Sequence, residues 1–347
     1  MAVRPPIDSC KVQPLRYSPQ DVFRDTPVAP RLRPEMDWAD RIGNRVRLRD
    51  LHILLAIAEC GSMSKAAARL AISHPVVSKT VSDLEHSLGV RLFDRHSHGV
   101  ELTAYGKAML NCGHIVFDEM RQGLKQIEFL SNPNTGDLRI GCPEIELAGI
   151  FPSILERFLK QYPKVRLHVI HANTSMLQFN ELRSRNVELL LGRARLFHLE
   201  DDLIWEHLFD DFHVPVVGPG SPWLRRKRLE LADLIDEPWV LPPYDSVPGP
   251  IVTEIFRTNK LTPPIASIST LSAQLTLTLV ASGRYVGLLP REVARTSGAQ
   301  LGVKILPVKL PARGVPVDII TMKNRTLSPL AHFFIDCARE VAKSFTI

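Results

Sequence analysis

Residues 61–95 read GSMSKAAARLAISHPVVSKTVSDLEHSLGVRLFDR, and the spacing inside this run decides the architecture of the N-terminal part of the chain. Just before it, Asp50 to Cys60 sets Leu51, Leu54, Leu55, Ile57 and Ala58 at helical period, and Gly61 ends that helix as a glycine past a helix end does. Ser62 suits the N-cap of a second helix, Ser64 to Leu70, where Ala66, Ala67 and Ala68 combine high helix propensity with little bulk, so a neighbouring helix can approach closely. Ser73 caps a third helix, with Pro75 in its first turn where a missing N–H costs nothing. Val76, Val77, Val81, Leu84 and Leu88 form its expected buried stripe, and His74, Ser78, Lys79, Ser82 and His86 its exposed face. Hydrogen-bonding and cationic groups on the first turns of such a helix are what a major-groove reader uses on base edges and phosphates.

Past Gly89, Val90 to Arg95 reads as a strand and Val100 to Thr103 as a second, joined through His96, Ser97, His98 and Gly99. This makes a wing, with Arg95 placed to touch the nucleic-acid backbone or minor groove. The whole block resembles the winged helix-turn-helix of LysR-type transcriptional regulators, whose usual pattern is close to GSxxxAAxxLxxSQPAxSxxIxxLExxLGxxLFxR. One departure is His74, where that family usually carries Gln, so the base contact made there is expected to differ. The resemblance implies double-stranded DNA as partner. Ser73, His74, Pro75, Ser78, Lys79, Ser82 and Arg95 are the candidate contact residues. A winged helix used only for protein contacts is disfavoured, because these first turns are cationic and hydroxylic rather than apolar.

Length and composition agree. A chain of 347 residues with 45% hydrophobic content has room for more than one domain and for sizeable cores. A net charge of +6 favours a polyanionic partner without proving one. Cys10, Cys60, Cys112, Cys142 and Cys337 are scattered, which argues against a disulfide framework or zinc site and for a reducing, cytoplasmic setting. No segment approaches a membrane span, and residues 1–44 lack the apolar core of a signal peptide. That stretch, interrupted by Pro5, Pro6, Pro14, Pro19, Pro27, Pro30 and Pro34, reads as a disordered extension. A basic arm carrying Arg31 and Arg33 is the functional alternative, and Met36 offers an alternative start.

The expected organisation is then a winged helix-turn-helix over 45–104, a linker helix over 105–131, and a larger α/β region over 137–345. In the linker, Met109, Cys112, Val116, Met120, Leu124 and Ile127 recur at three- and four-residue steps. Such a stripe wants a partner helix, and in the resembled family the equivalent helix pairs subunits, implying a homodimer or homotetramer. Cys112 is expected there as a small hydrophobe. Packing of the stripe inside one subunit is the alternative.

Beyond the break at Ser131 to Gly136, strand and helix alternate: Asp137 to Gly141, Ile145 to Tyr162, Val165 to Ile170, Ser175 to Arg185 and Val187 to Leu191. This predicts a mostly parallel sheet covered by helices. The segments GDLRIG, FPSILERFLKQYPKVRLHV and VASGRYVGLLP resemble the effector-binding region of the same family. The fold implied is periplasmic-binding-protein-like, with two α/β lobes around a ligand cleft. The chain would cross to the second lobe near His213 to Val217 and return near Val315 to Thr321. Trp239, Pro242 and Pro243 read as packing and turn residues.

No phosphate-cradling loop, H-E-x-x-H, nucleophile elbow or close cysteine pair occurs, so no enzyme, cofactor or metal is expected. His168 and His171 lack a nearby ligand partner in sequence and read as structural. The resemblance implies a regulator controlled by a small-molecule effector, with RNA polymerase as a further partner. A two-lobe binding protein or enzyme whose head does not read DNA is the alternative, and salt-dependent retardation of promoter DNA separates the two. In the family, the loop after the first effector-region strand lines the cleft. Here it carries Glu144 and Glu146 at a helix start, which repel an anion. With Thr174, Ser175, Arg193, Ser269, Thr270 and Ser272 they compose a polar cleft suited to sugar hydroxyls. Against this, the glutamates could only cap the helix, with Arg193 paired to one of them.

Overall fold

Helix α1 (Leu48–Cys60) turns its Leu51, Ile53, Leu54, Leu55, Ala56 and Ile57 inward and stops at Gly61, whose φ of 63° is left-handed and whose N–H donates to the Ile57 carbonyl. The structure is a computed structural model that describes residues 46–96, 99–172, 177–193, 201–310 and 314–345, with side chains omitted at 177–179. The expected N-terminal extension, the wing-tip residues Ser97 and His98, and the cleft candidates Thr174 and Ser175 lie outside the described residues. Two compact units divide after Arg121.

In the first unit, α2 (Met63–Arg69) and α3 (His74–Leu88) follow α1. Ser62 and Ser73 occupy the N-cap positions, but neither side chain makes a capping hydrogen bond. Met63, Ala66, Ala67, Val77, Val81 and Leu84 meet the α1 face in one core. Val76, expected in the buried stripe, is 38% exposed and stands beside the outward face instead. The wing is β1 (Phe93–His96) paired antiparallel with β2 (Gly99–Leu102), so the strands reach one residue into the loop expected between them. Glu85 of α3 anchors the wing: its Oε1 accepts from Leu92 N at 2.7 Å and Phe93 N at 3.2 Å. A second tie is Val100 N donating to the Gly61 carbonyl at 3.1 Å. Thr103 then caps the long helix α4 (Ala104–Ser131), accepting from Gly106 N at 3.0 Å.

The second unit holds two sheets. Lobe I has the order β4-β3-β5-β12-β6, built from β3 (Thr135–Cys142), β4 (Lys164–His171), β5 (Leu189–Gly192), β6 (Leu203–Asp211) and β12 (Val315–Met322). Lobe II has the order β11-β7-β10-β8-β9, from β7 (His213–Val217), β8 (Trp239–Leu241), β9 (Ile268–Ser269), β10 (Val286–Pro290) and β11 (Lys304–Ile305). The strands read from the sequence, β3, β4 and β5, are parallel as expected, and each sheet carries one reversed strand: β12 runs antiparallel to β5 and β6, and β7 antiparallel to β10 and β11. The reason is topological, since the strands that carry the chain between lobes enter each sheet against its direction. The crossing falls at Asp211 to His213.

The helix expected from Ile145 to Tyr162 is two helices, α5 (Glu144–Leu147) and α6 (Phe151–Gln161), with Pro152 in the first turn of α6. Gly149 lies at the break, where a Cβ would sit 3.2 Å from the Ile145 carbonyl and 3.6 Å from Val293. Where a helix was expected from Ser175 to Arg185, the described part is a π-helical turn, Leu177–Leu182. Helix α6 and the C-terminal α10 (Pro329–Ala342) cover lobe I, with Phe334 packed between Phe151 and Phe158 at ring distances of 6.0 and 5.7 Å. In lobe II, α7 (Gly249–Thr258) presents Phe256 edge-on to Trp239, which is fully buried and donates through Nε1 to the Leu234 carbonyl. On the other face of that sheet, α8 (Ala273–Ala281) and α9 (Arg291–Val293) pack with Val216 and Leu289.

Candidate nucleic-acid interface and inter-lobe seam

Helix α3 separates its two sides cleanly. Val77, Val81 and Leu84 are buried, while Ser73, His74, Pro75, Lys79, Ser82 and His86 are exposed and Ser78 is half-buried. The turn leading into α3 holds Ala71 at φ 53°, a left-handed conformation normally left to glycine. Ile72 N donates to the Ala67 carbonyl at 3.0 Å, which fixes the angle between α2 and α3. Arg95 is exposed on β1. Arg69 is engaged by Glu59 at 2.5 Å, whereas among the described residues no ion pair occupies Lys79 or Arg95. The first unit thus offers an exposed helix face with an uncompensated cation and hydroxyls, flanked by a wing with another cation.

The long helix changes character along its length. Near its start it packs on α1: Gly113 lies where a Cβ would touch Leu55 at 3.7 Å, and Phe117 meets the His52 ring at 5.9 Å. Met109 belongs to the head core, and Cys112, the next residue of the stripe, is exposed on the single chain. Further along, Met120, Leu124, Ile127 and Leu130 are 47, 58, 61 and 81% exposed.

At the lobe seam, α5 is a single turn with two faces. Leu147 joins the lobe I core, while Ile145 and Ala148 pack into the lobe II cluster of Val216, Ala273, Leu277, Val280 and Val293. Glu146 points into lobe I and meets Arg193, with Nε to Oε1 at 2.8 Å; Arg193 Nη2 also reaches Asp211 at 3.1 Å. Burial raises the Glu146 carboxyl to about 7, against the pull of Arg193. Burial likewise raises Asp211 and, less deeply placed, Glu292. His213, at the end of the crossing, is held neutral, its pKa lowered to about 3 by burial and then by the Arg193 charge. Asp211 Oδ1 accepts from Glu292 N at 3.4 Å, and Arg291 N donates to the Phe212 carbonyl at 2.7 Å, so the buried cluster also ties α9 of lobe II to the crossing.

Of the cleft candidates, the structure brings Glu144 to Ser272. Glu144 Oε1 accepts from Ser272 Oγ at 3.0 Å and from Gln274 N at 3.1 Å. Thr270 Oγ1 accepts from Ser272 N at 3.1 Å, and Ser269 is exposed nearby at the end of β9. Glu146 and Arg193 form a separate buried pair. Sequence reasoning missed Asp211, His213 and Glu292, which carry no motif; only their ionisable character at strand and helix ends marked them. His168 is exposed and 3.6 Å from Asp137, which also binds Arg166. Among the described residues no group of His, Cys, Asp or Glu has the makings of a metal site, and no helix is long and apolar enough to cross a membrane.

Comparison with known proteins matches residues 48–107 to the bacterial regulatory helix-turn-helix protein model of the lysR family, and residues 131–343 to the LysR substrate binding domain. The chain is 28% identical over 305 residues to the uncharacterized HTH-type transcriptional regulator YdcI of Escherichia coli, covering 88% of this chain and 99% of that one. It is 30% identical over 295 residues to the HTH-type transcriptional regulator GbpR of Azospirillum brasilense, covering 82% and 83%. Among solved structures, full-length OxyR from Pseudomonas aeruginosa shares the fold with a TM-score of 0.57 at 22% identity, over 86% of this chain and 97% of that one. Full-length CbnR, crystallised with its target DNA, shares it with a TM-score of 0.51 at 22% identity, over 86% and 100%.

Proposed function

The chain belongs to the LysR family of DNA-binding transcriptional regulators with an effector-binding domain, and on that premise we propose how its parts divide the work. Helix α3 enters the major groove and presents His74, Ser78, Lys79 and Ser82 to base edges and phosphates, with Ser73 and Pro75 at its entry and Arg95 of the wing on the backbone. The observation that carries this reading is the exposed, uncompensated Lys79 on a helix whose opposite face is buried. Two copies associate through the exposed apolar end of α4, which sets two heads on half-sites about one helical turn apart or a multiple of it. RNA polymerase is the further partner through which occupancy is read out. Retardation of promoter DNA with steep salt dependence tests the reading, and binding indifferent to salt or sequence overturns it.

The effector is a neutral polyhydroxylated molecule, such as a sugar. Arg193, the cation among the cleft candidates, spends its charge on Glu146 and Asp211, and Glu144 adds an acid at the seam. A carboxylate would meet repulsion there, whereas sugar hydroxyls find acceptors and donors in Glu144, Ser269, Thr270 and Ser272. Calorimetric titration with both ligand classes decides it: tight binding of a carboxylate to the unmodified seam sinks the sugar reading.

A further inference from the structure

Glu144 is bound the way a free carboxylate would be bound. Its Oε1 takes one hydroxyl and one backbone N–H, both from the start of α8, a nine-residue helix whose N-terminal N–H groups attract negative charge. Ser272, the N-cap, works in both directions: its Oγ accepts from Leu275 N at 3.2 Å and donates to Glu144. No ion pair engages Glu144 among the described residues, so these groups of lobe II are what balances its charge. The contact joins residues 128 and 130 apart in sequence, across the two lobes. Its neighbours hold the same elements in register. Ile145 and Ala148 sit in the lobe II apolar cluster, and Ser297 Oγ donates to the Ala148 carbonyl at 2.7 Å.

We propose that Glu144 is a tethered anion that latches lobe I to lobe II and sets the specificity of the seam: it fills, from within the chain, the place an acidic effector would take. An acid must therefore displace an intramolecular carboxylate, whose effective concentration is high, while a neutral effector need only rearrange hydrogen bonds beside it. This rests on reading the seam as the effector site.

Chemical rescue tests it in the full-length chain. Glu144→Ala removes the equivalent of one acetate ion. The variant is expected to melt a few degrees below the unmodified chain, and the Gln274 and Leu275 amides to exchange at least tenfold faster. Sodium acetate at tens of millimolar should raise the melting temperature of Glu144→Ala more than sodium chloride of equal ionic strength, and slow exchange at the same two amides. The unmodified chain should respond to both salts alike, and Ser272→Ala added to Glu144→Ala should abolish the acetate response. Equal responses to acetate and chloride in Glu144→Ala overturn the latch, as does an acetate gain of the same size in the unmodified chain. If Glu144→Ala fails to fold, Glu144→Gln keeps the size and one acceptor oxygen; exchange at Gln274 no faster than in the unmodified chain then overturns the role of the charge. No DNA or effector enters this readout. Rescue without sugar binding would retain the latch and reject the effector reading of the seam, and sugar binding without rescue would do the reverse.

Discussion

A single side chain on α3 makes the sharpest residue-scale case. Lys79→Ala removes an exposed cation without touching the core, so stability should hold while operator binding weakens. Where Lys79 meets phosphate, affinity falls evenly across sequences and the salt slope drops by about 1; where it meets guanine, discrimination falls by about 1–3 kcal/mol at one base pair. Operator titrations at several salt concentrations separate these, and unchanged binding rejects both. The buried cluster gives a second prediction. His213 is neutral in the fold down to about pH 3, whereas its unfolded form protonates near 6.5. The unfolded state therefore binds the extra proton between these values, and His213 lowers stability as pH falls through that window. Glu146, raised to about 7, acts oppositely: the folded state holds the extra proton from about 4.5 to 7, and stability falls as pH rises there. Each slope is about 1.4 kcal/mol per pH unit, so the two cancel over roughly pH 4.5–6.5. In His213→Gln the cancellation is lost, and denaturant melts should show stability relative to the unmodified chain improving steadily from pH 6.5 to 4.5. A pH-independent difference contradicts the assignment. Neither Asp211 nor His213 was legible in the sequence, because Arg193, whose charge acts on both, lies 18 and 20 positions away, just past the end of β5. The α3 face was legible from helical period except at Val76, which that period assigned to the buried stripe.

Elements were legible to the extent that local chemistry determines them. Glycine stops at Gly61 and Gly89, the stripe of α4 and the alternating wing all follow from near neighbours in sequence. What stayed hidden depends on distant packing. Gly149, at the break between α5 and α6, lies beside Val293 of lobe II, and the antiparallel course of β7 and β12 needs both lobes at once. Near its start α4 packs on the head through Met109, Gly113 and Phe117 while Cys112 of the stripe is exposed, a difference that periodicity does not show. The second half of the stripe gives the element-scale test. Leu124→Asp places an unpaired carboxylate in the proposed subunit contact at a cost of several kcal/mol, so sedimentation should report a smaller species. Mass unchanged from the unmodified protein would rule Leu124 out of the subunit contact. Two glycines of the same helix make a matched pair. At Gly106 an added Cβ would lie 2.0 Å from the Leu92 carbonyl, so Gly106→Ala should cost at least about 1–3 kcal/mol and loosen the wing. Gly123 meets nothing within 4 Å, so Gly123→Ala should be neutral or stabilise by up to about 1 kcal/mol. Thermal melts of the two variants moving in the same direction would contradict this packing.

Across the whole molecule, the two units have separate cores, and the order of elements sets when each can form. The head draws its core from residues 46–109 alone, so its contacts are local in sequence. Lobe I differs. Strand β12 lies between β5 and β6, and Phe334 of α10 fills the centre of the same core, although all of lobe II separates them in sequence. A chain ending at Gly314 should therefore keep a cooperatively melting head and lose the cooperative transition of lobe I, as followed by calorimetry and amide exchange. Retention of a native lobe I would mean that β5 and β6 tolerate the gap. For the protein under synthesis, this means that the reading head emerges and folds while the sensing part is still unfinished. Nascent chains on the ribosome can carry a competent head for the time needed to translate roughly two hundred more residues, at several to twenty per second. Any premature stop within that interval yields a head freed from its own control.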